Sequence, residues 1–143
     1  MKKIIYFLIV VIVIVIVVAM AYINYKATWN NIKEDNFTFE YYNQKEILGT
    51  EVATLINKAV DNNIKFNVSK DENGKYIENN ENSINIQIYI LDNETTYDME
   101  TIYSGGIDKF VQNFGSIKFK CTNLEYHDIT KRVKKVYFEQ VQD

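Results

Sequence analysis

Residues 4–23 read IIYFLIVVIVIVIVVAMAYI, twenty positions without a charged side chain. At 1.5 Å rise per residue, a helix of that length spans roughly 30 Å, the thickness of a bilayer's hydrocarbon core. In water the Ile and Val run would favour a strand. In lipid a lone strand leaves its N–H and C=O groups unpaired, while a helix satisfies them internally, so the segment reads as a transmembrane helix. Tyr22 and Tyr25 fall where an interfacial aromatic belongs, and Tyr6 lies near the opposite end.

The flanks set the orientation. Lys2 and Lys3 precede the span, while Lys26 and Lys33 on the far side are soon met by Glu34, Asp35 and Glu40. Lys2 and Lys3 adjoin the span directly and the amino terminus adds a positive charge, while acidic residues offset the far lysines, which predicts a single-pass cell-membrane protein: residues 1–3 in the cytoplasm, residues 4–23 as an uncleaved signal anchor, and the remainder outside. Ala19-Met20-Ala21 also fits a small-x-small cleavage site, so release after Ala21 is the alternative.

Of 143 residues, about 120 lie beyond the span, enough for one small domain. The chain carries 16 Lys and Arg against 19 Asp and Glu; without Lys2 and Lys3 the balance is 14 against 19. That gives no electrostatic footprint for nucleic acid. One Cys cannot form an internal disulfide, and one His cannot build a histidine-based metal cluster. The residues offer no nucleophile set and no defensible carboxylate pair. The expectation is a non-enzymatic chain with no catalytic residues, no cofactor and no metal.

Periodicity divides the outer part. Tyr22, Tyr25, Trp29 and Ile32 recur at three and four, which predicts a helical stalk over 24–36. Phe37, Phe39 and Tyr41 alternate with polar residues, which predicts a strand opening the domain 37–143. After Gly49, Thr50 is the expected N-cap, and Val52, Leu55, Ile56, Ala59 and Val60 form one helical stripe ending at Asn62-Asn63. A start near Asn43, with Gly49 tolerated, is the other reading. Ile64, Phe66 and Val68 alternate like a strand, Asp71 to Gly74 is a turn, and Glu78 to Ser83 reads as a mobile polar loop. Ile84, Ile86, Ile88 and Ile90 mark the clearest strand, turned by Asp92-Asn93-Glu94. Met99 to Tyr103 is ambiguous between strand and loop. Ile107 to Phe114 predicts a short helix stopped by Gly115. Two strands follow, with a bulge near Thr122-Asn123, a slip between Val133 and Val136, and a hairpin over His127 to Arg132. The fold class is α+β: a transmembrane helix, then an antiparallel sheet of about five strands packed by one longer and one shorter helix.

Eleven Tyr, eight Phe and one Trp make aromatic anchors the natural interaction material. Tyr25 and Trp29 lie close to the membrane, and Tyr41 and Tyr42 close the first predicted strand. Lys131, Arg132, Lys134 and Lys135 form the basic cluster, read either as a solvated hairpin tip or as a contact for an anionic envelope polymer or phospholipid. Cys121 reads as a buried small hydrophobe and His127 as a solvent-facing turn residue. Asp98, Glu100 and Asp108 are the scattered carboxylates that an enzymatic reading would have to use.

The charged start, the apolar run, Gly49 with Val52 and Ile56, Asn57-Lys58, and the closing aromatic strand Val136 to Gln140 resemble small single-span surface proteins of clostridia-like Gram-positive bacteria. Some of these are encoded near pilus or secretion genes. The resemblance carries no catalytic residues. The small tethered domain without a catalytic set reads as a membrane-anchored structural or interaction protein with a membrane or envelope protein as partner, and the resemblance adds a role as accessory to such a machine. The prepilin pattern of Gly before a cleavage site with Glu at the fifth mature position is missing. A regulatory subunit acting through its anchor helix, or a secreted binding module or minor enzyme, are the alternatives.

Overall fold

The computed structural model describes residues 2–142. The chain divides into two units at Glu34 and Asp35. The first consists of helix α1 (Lys2–Glu40), whose last six residues belong to the second unit. Every side chain from Ile4 to Ile23 is exposed. This is one helix long and apolar enough to cross a membrane.

The expected strand at Phe37 to Tyr41 is not formed, because α1 continues through it to Glu40. Asn36 and Phe39, three apart, are buried together, and Phe37 and Tyr41, four apart, lie together on the exposed face. Those are helical spacings. The alternation of aromatics satisfied both periods, and tertiary contacts decided between them.

The second unit is an α+β domain. Its elements are β1 (Glu46–Leu48), α2 (Gly49–Lys65), β2 (Asn85–Ile90), a 3₁₀ turn at Leu91–Asn93, β3 (Thr95–Asp98), α3 (Met99–Gly105), α4 (Ile107–Phe114), β4 (Lys118–Tyr126) and β5 (Val133–Gln140). The five strands form one sheet in the order β1-β4-β5-β2-β3. Three pairings are antiparallel, but β2 runs parallel to β5, so the sheet is mixed rather than wholly antiparallel. A parallel pair requires a long crossover, supplied here by everything from β3 to β4. Strand period carries no information about that direction.

Ile84, Ile86, Ile88 and Ile90 all enter the core, with Phe119, Cys121, Val136 and Phe138 beside them on the same sheet face. Val52, Leu55, Ile56, Ala59 and Val60 of α2 close over them, joined by Met99, Ile102 and Phe110 from the two short helices. Met99 to Tyr103 is therefore helix, neither strand nor loop, and its buried pair Met99 and Ile102 has the helical spacing of three. The expected bulge in β4 is present as a register shift between Cys121 and Asn123.

Gly49 starts α2, with Leu48 as N-cap, and Ile47 and Leu48 belong to β1 instead of extending the helix backwards. The Glu51 carboxylate accepts the Leu48 N–H at 3.0 Å. A Cβ at Gly49 would collide with the Phe114 carbonyl oxygen, so glycine lets α2 begin against the end of α4. At its other end α2 runs past Asn62-Asn63 into the expected strand at Ile64 to Val68. Asn67 adopts φ 51°, its N–H donates to Ile64 O, and the Val68 N–H donates to Asn63 O at 2.9 Å. This is a Schellman stop, with Asn in the left-handed position and a buried Val after it.

Candidate functional site

The sequence singles out eight residues for interaction, and the structure separates them. Tyr25 and Trp29 are exposed on α1, where Lys33 Nζ lies 5.8 Å from the Trp29 ring. Tyr41 and Tyr42 belong to the second unit, just past the end of α1, and differ in role. Tyr42 packs half-buried against the core, while Tyr41 is 52% exposed.

Tyr41 is the centre of an aromatic patch. Its ring is 5.9 Å from that of Phe37, which is 64% exposed, and meets Tyr42 edge-on at 5.0 Å. Lys45 Nζ stands 3.6 Å from the Tyr41 centroid. Helical continuation past Asn36 creates the pair, because it sets Phe37 and Tyr41 one turn apart. A strand would have set them on one face with Phe39, which is buried instead. Phe37 and Lys45 were not legible as site residues for that reason. Exposed aromatic side chains, tyrosine among them, are the kind that contribute most to protein docking when a partner buries them.

The basic cluster does not form a free cationic surface. The Arg132 guanidinium donates to Asp35 Oδ2 at 2.7 Å and lies over the Phe66 ring at 4.9 Å. Lys134 pairs with Glu78 at 3.3 Å and Glu125 at 3.8 Å, and Lys135 covers the Tyr137 ring at 5.4 Å. Lys131 is exposed at φ 58°, its carbonyl accepting from Asn36. Three of the four cations are thus engaged within the domain.

His127 is not a solvent-facing turn residue. It is 1% exposed, with Nε2 2.7 Å from the Ser83 carbonyl, which makes Nε2 the protonated nitrogen. Nδ1 is buried and has no partner. The bond ties the β4–β5 hairpin to the segment before β2. That segment is also held from within: Asn79 Oδ1 accepts the N–H groups of Glu81, Asn82 and Ser83 at 3.0–3.1 Å. The polar composition marked Glu78 to Ser83 as mobile, whereas its asparagine builds a turn.

Cys121 is fully buried on β4, and burial pushes its thiol up from the ordinary value, opposed by weaker backbone contacts. That disfavours the thiolate a nucleophile needs. Asp98, Glu100 and Asp108 are not drawn into one cluster. Asp98 is half-buried on β3, Glu100 is buried in α3, and Asp108 is exposed on α4. Partial burial pushes the Asp98 carboxyl up, but hydrogen bonds from Lys75 and Gln87 with the charges of Lys75 and Lys135 outweigh it and hold it below the usual range. Tyr126 and Tyr137 are pushed up to about 12, by burial first and then by bonding to the carboxylates of Glu40 and Glu125. Among the described residues, no group of three or more His, Cys, Asp or Glu side chains is placed to hold a metal ion.

Compared with family models, with curated proteins and with solved structures, the chain matches none of them.

Proposed function

We propose that this is a single-pass cell-membrane protein whose C-terminal domain lies outside the cytoplasm and works by docking a membrane or envelope protein, without catalysis. The observation that carries the reading is the patch of Phe37, Tyr41 and Lys45, two exposed aromatic rings and a cation on a folded domain that follows an uncharged, fully exposed span. The span supports lipid as the first partner. The patch supports protein as the second, because exposed clustered aromatics gain most when a partner removes them from water. The lysines at the start and the acidic residues past the span support the orientation. The single-span proteins that the sequence resembles, some encoded near pilus or secretion genes, support a role as accessory to such a machine.

The test is to replace Phe37 and Tyr41 together by Ser and to compare what copurifies with each form from detergent-solubilised membranes. The paired variant should remain folded and in the membrane fraction while losing the partner. An unchanged set of copurifying proteins would overturn the docking role.

A further inference from the structure

Strand alternation sends one set of side chains into the core and leaves the other on the opposite face of the sheet. Ile86, Ile88 and Ile90 of β2 and Val136 and Phe138 of β5 pack with the helices, and Tyr97 of β3 joins them on that side. Gln87, Tyr89, Thr96, Asp98, Tyr137 and Glu139 are their alternates on the bare face. Register sets these in two rows across three strands: Glu139, Tyr89 and Thr96 in one, Tyr137, Gln87 and Asp98 in the other. Each row spans about 10 Å, and the rows stand about 7 Å apart.

Between the rows lies an open cavity of about 380 Å³, lined by residues of β2, β3 and β5 alone and within the size range of small-molecule sites. One row is already engaged. Asp98 is bonded to Lys75 and to Gln87 Nε2, while Tyr137 gives its hydroxyl to Glu125 and has Lys135 Nζ 5.4 Å from its ring. The other row is not. Among the described residues, the Tyr89 ring has no aromatic or cationic neighbour, and Tyr89, Thr96 and Glu139 make no side-chain hydrogen bond or ion pair. Thr96 and Glu139 are exposed and Tyr89 is half-buried, so all three reach solvent. Gln87 keeps Oε1 as an acceptor. Charge is balanced around them. Lys120 is registered opposite both Glu46 and Glu139, and Lys118 answers Glu46 at 3.9 Å, which leaves Lys120 to answer Glu139.

We propose that this cavity binds one uncharged pyranose sugar unit, its ring lying against Tyr89 and its hydroxyls bonded to Glu139, Thr96 and Gln87. A pyranose has an apolar C–H face and a rim of hydroxyls that donate and accept. The open Tyr89 ring suits the first, and a carboxylate, a hydroxyl and an amide oxygen on either side of it suit the second. The spacing of the rows admits one six-membered ring. An ion is the poorer occupant, because Lys120 and Lys75 already balance Glu139 and Asp98 and leave no net charge to answer. The site is independent of docking at Phe37 and Tyr41, and either can fail without the other.

The test uses the full chain, ¹⁵N-labelled, in micelles of dodecylphosphocholine, a detergent without a sugar headgroup. It is titrated separately with methyl glucoside, methyl galactoside, methyl mannoside and N-acetylglucosamine, and with glycerol and ethylammonium as controls. At least one sugar should shift amide signals within 85–90, 95–98 and 135–140. Glycerol, which has hydroxyls but no ring face, and ethylammonium, which has charge alone, should bind more weakly. Tyr89→Thr keeps a strand-forming residue and removes the ring, and should weaken sugar binding at least about threefold, as loss of an aromatic contact does. Glu139→Gln, at an exposed position that cannot disturb the core, should weaken it about fivefold through loss of the charged acceptor. No shift by any of the four sugars at about 50 mM, a concentration that would saturate even a millimolar site, overturns the proposal. Binding unchanged in either variant, or either control binding as well as the sugars, overturns it too.

Discussion

The side-chain amide of Asn63 makes both backbone hydrogen bonds of Ile84: Nδ2 donates to the Ile84 carbonyl and Oδ1 accepts its N–H, each at 2.8 Å. Asn63 is fully buried near the end of α2, and Ile84 immediately precedes β2. The amide therefore stands in for a neighbouring strand at a place where the chain has none. Asn36, near the end of α1, does the same for the β4–β5 hairpin, donating to Lys131 O and accepting the Val133 N–H, both at 2.8 Å. Two asparagines near helix ends join the helices to the sheet by imitating peptide groups.

Asn63→Ala should be strongly destabilising, because it leaves the Ile84 N–H and C=O buried without partners. Each orphaned group costs about 1–3 kcal/mol, so a total loss of about 2–6 kcal/mol is expected by urea unfolding of the full chain in micelles. Asn63→Asp keeps an acceptor for the N–H but sets a carboxylate oxygen against the Ile84 carbonyl, and should not rescue. A loss below about 0.5 kcal/mol for Asn63→Ala, the size of an ordinary surface change, would mean that the clamp is dispensable.

Gly49→Ala tests the close approach of α2 and α4. The new methyl meets the Phe114 carbonyl oxygen, which is backbone and cannot rotate away. Overpacking of this kind costs about 1–3 kcal/mol, even though Ala is otherwise the better helix former by about 1 kcal/mol. Destabilisation is expected in the same unfolding measurement, and a more stable variant would show that the two helices separate freely.

The Lys75–Asp98 pair gives stability a pH dependence with a definite sign. Asp98 is held below the usual carboxylate range when folded, so its stabilisation is present above the unfolded value of about 4 and is lost as pH falls through the folded value. Lys75 is raised by the hydrogen bond and charge of Asp98, so its share is present below about 10.4 and fades as pH rises through the raised value. Between those limits both contribute, though Lys75 is exposed and the pair is correspondingly weak. Asp98→Asn should flatten the acid limb of the stability profile relative to the parent. An unchanged limb would mean that Asp98 titrates alike in both states.

Most of the architecture was legible wherever one period held without competition. The isoleucines from Ile84 to Ile90, the stripe from Val52 to Val60 and the helix Ile107 to Phe114 appear at the expected positions, and so does the bulge after Cys121. Reading failed where two periods fitted the same residues. Phe37, Phe39 and Tyr41 alternate like a strand, yet Asn36 and Phe39 are buried together at helical spacing; Ile64 to Val68 alternates too, but is the tail and stop of α2. The aromatic patch was half legible. Tyr41 stood out as an aromatic closing the first expected strand, while Phe37 and Lys45 join it only because the helix continues. His127 and Glu100 could not be recognised as buried, because their burial depends on segments distant in sequence: Ser83 for the one, the Tyr76 backbone for the other.

The measurement that bears most directly on the docking role is photocrosslinking in intact cells, with a photoreactive residue at Tyr41 and, as control, at Ile64, which is equally exposed on the far end of α2. The account predicts a discrete adduct with a membrane or envelope protein from Tyr41, absent from Ile64, recovered in the membrane fraction with residues 1–21 still attached. Identical patterns from the two positions, or an uncrosslinked chain released into the medium and starting at Tyr22, would contradict it.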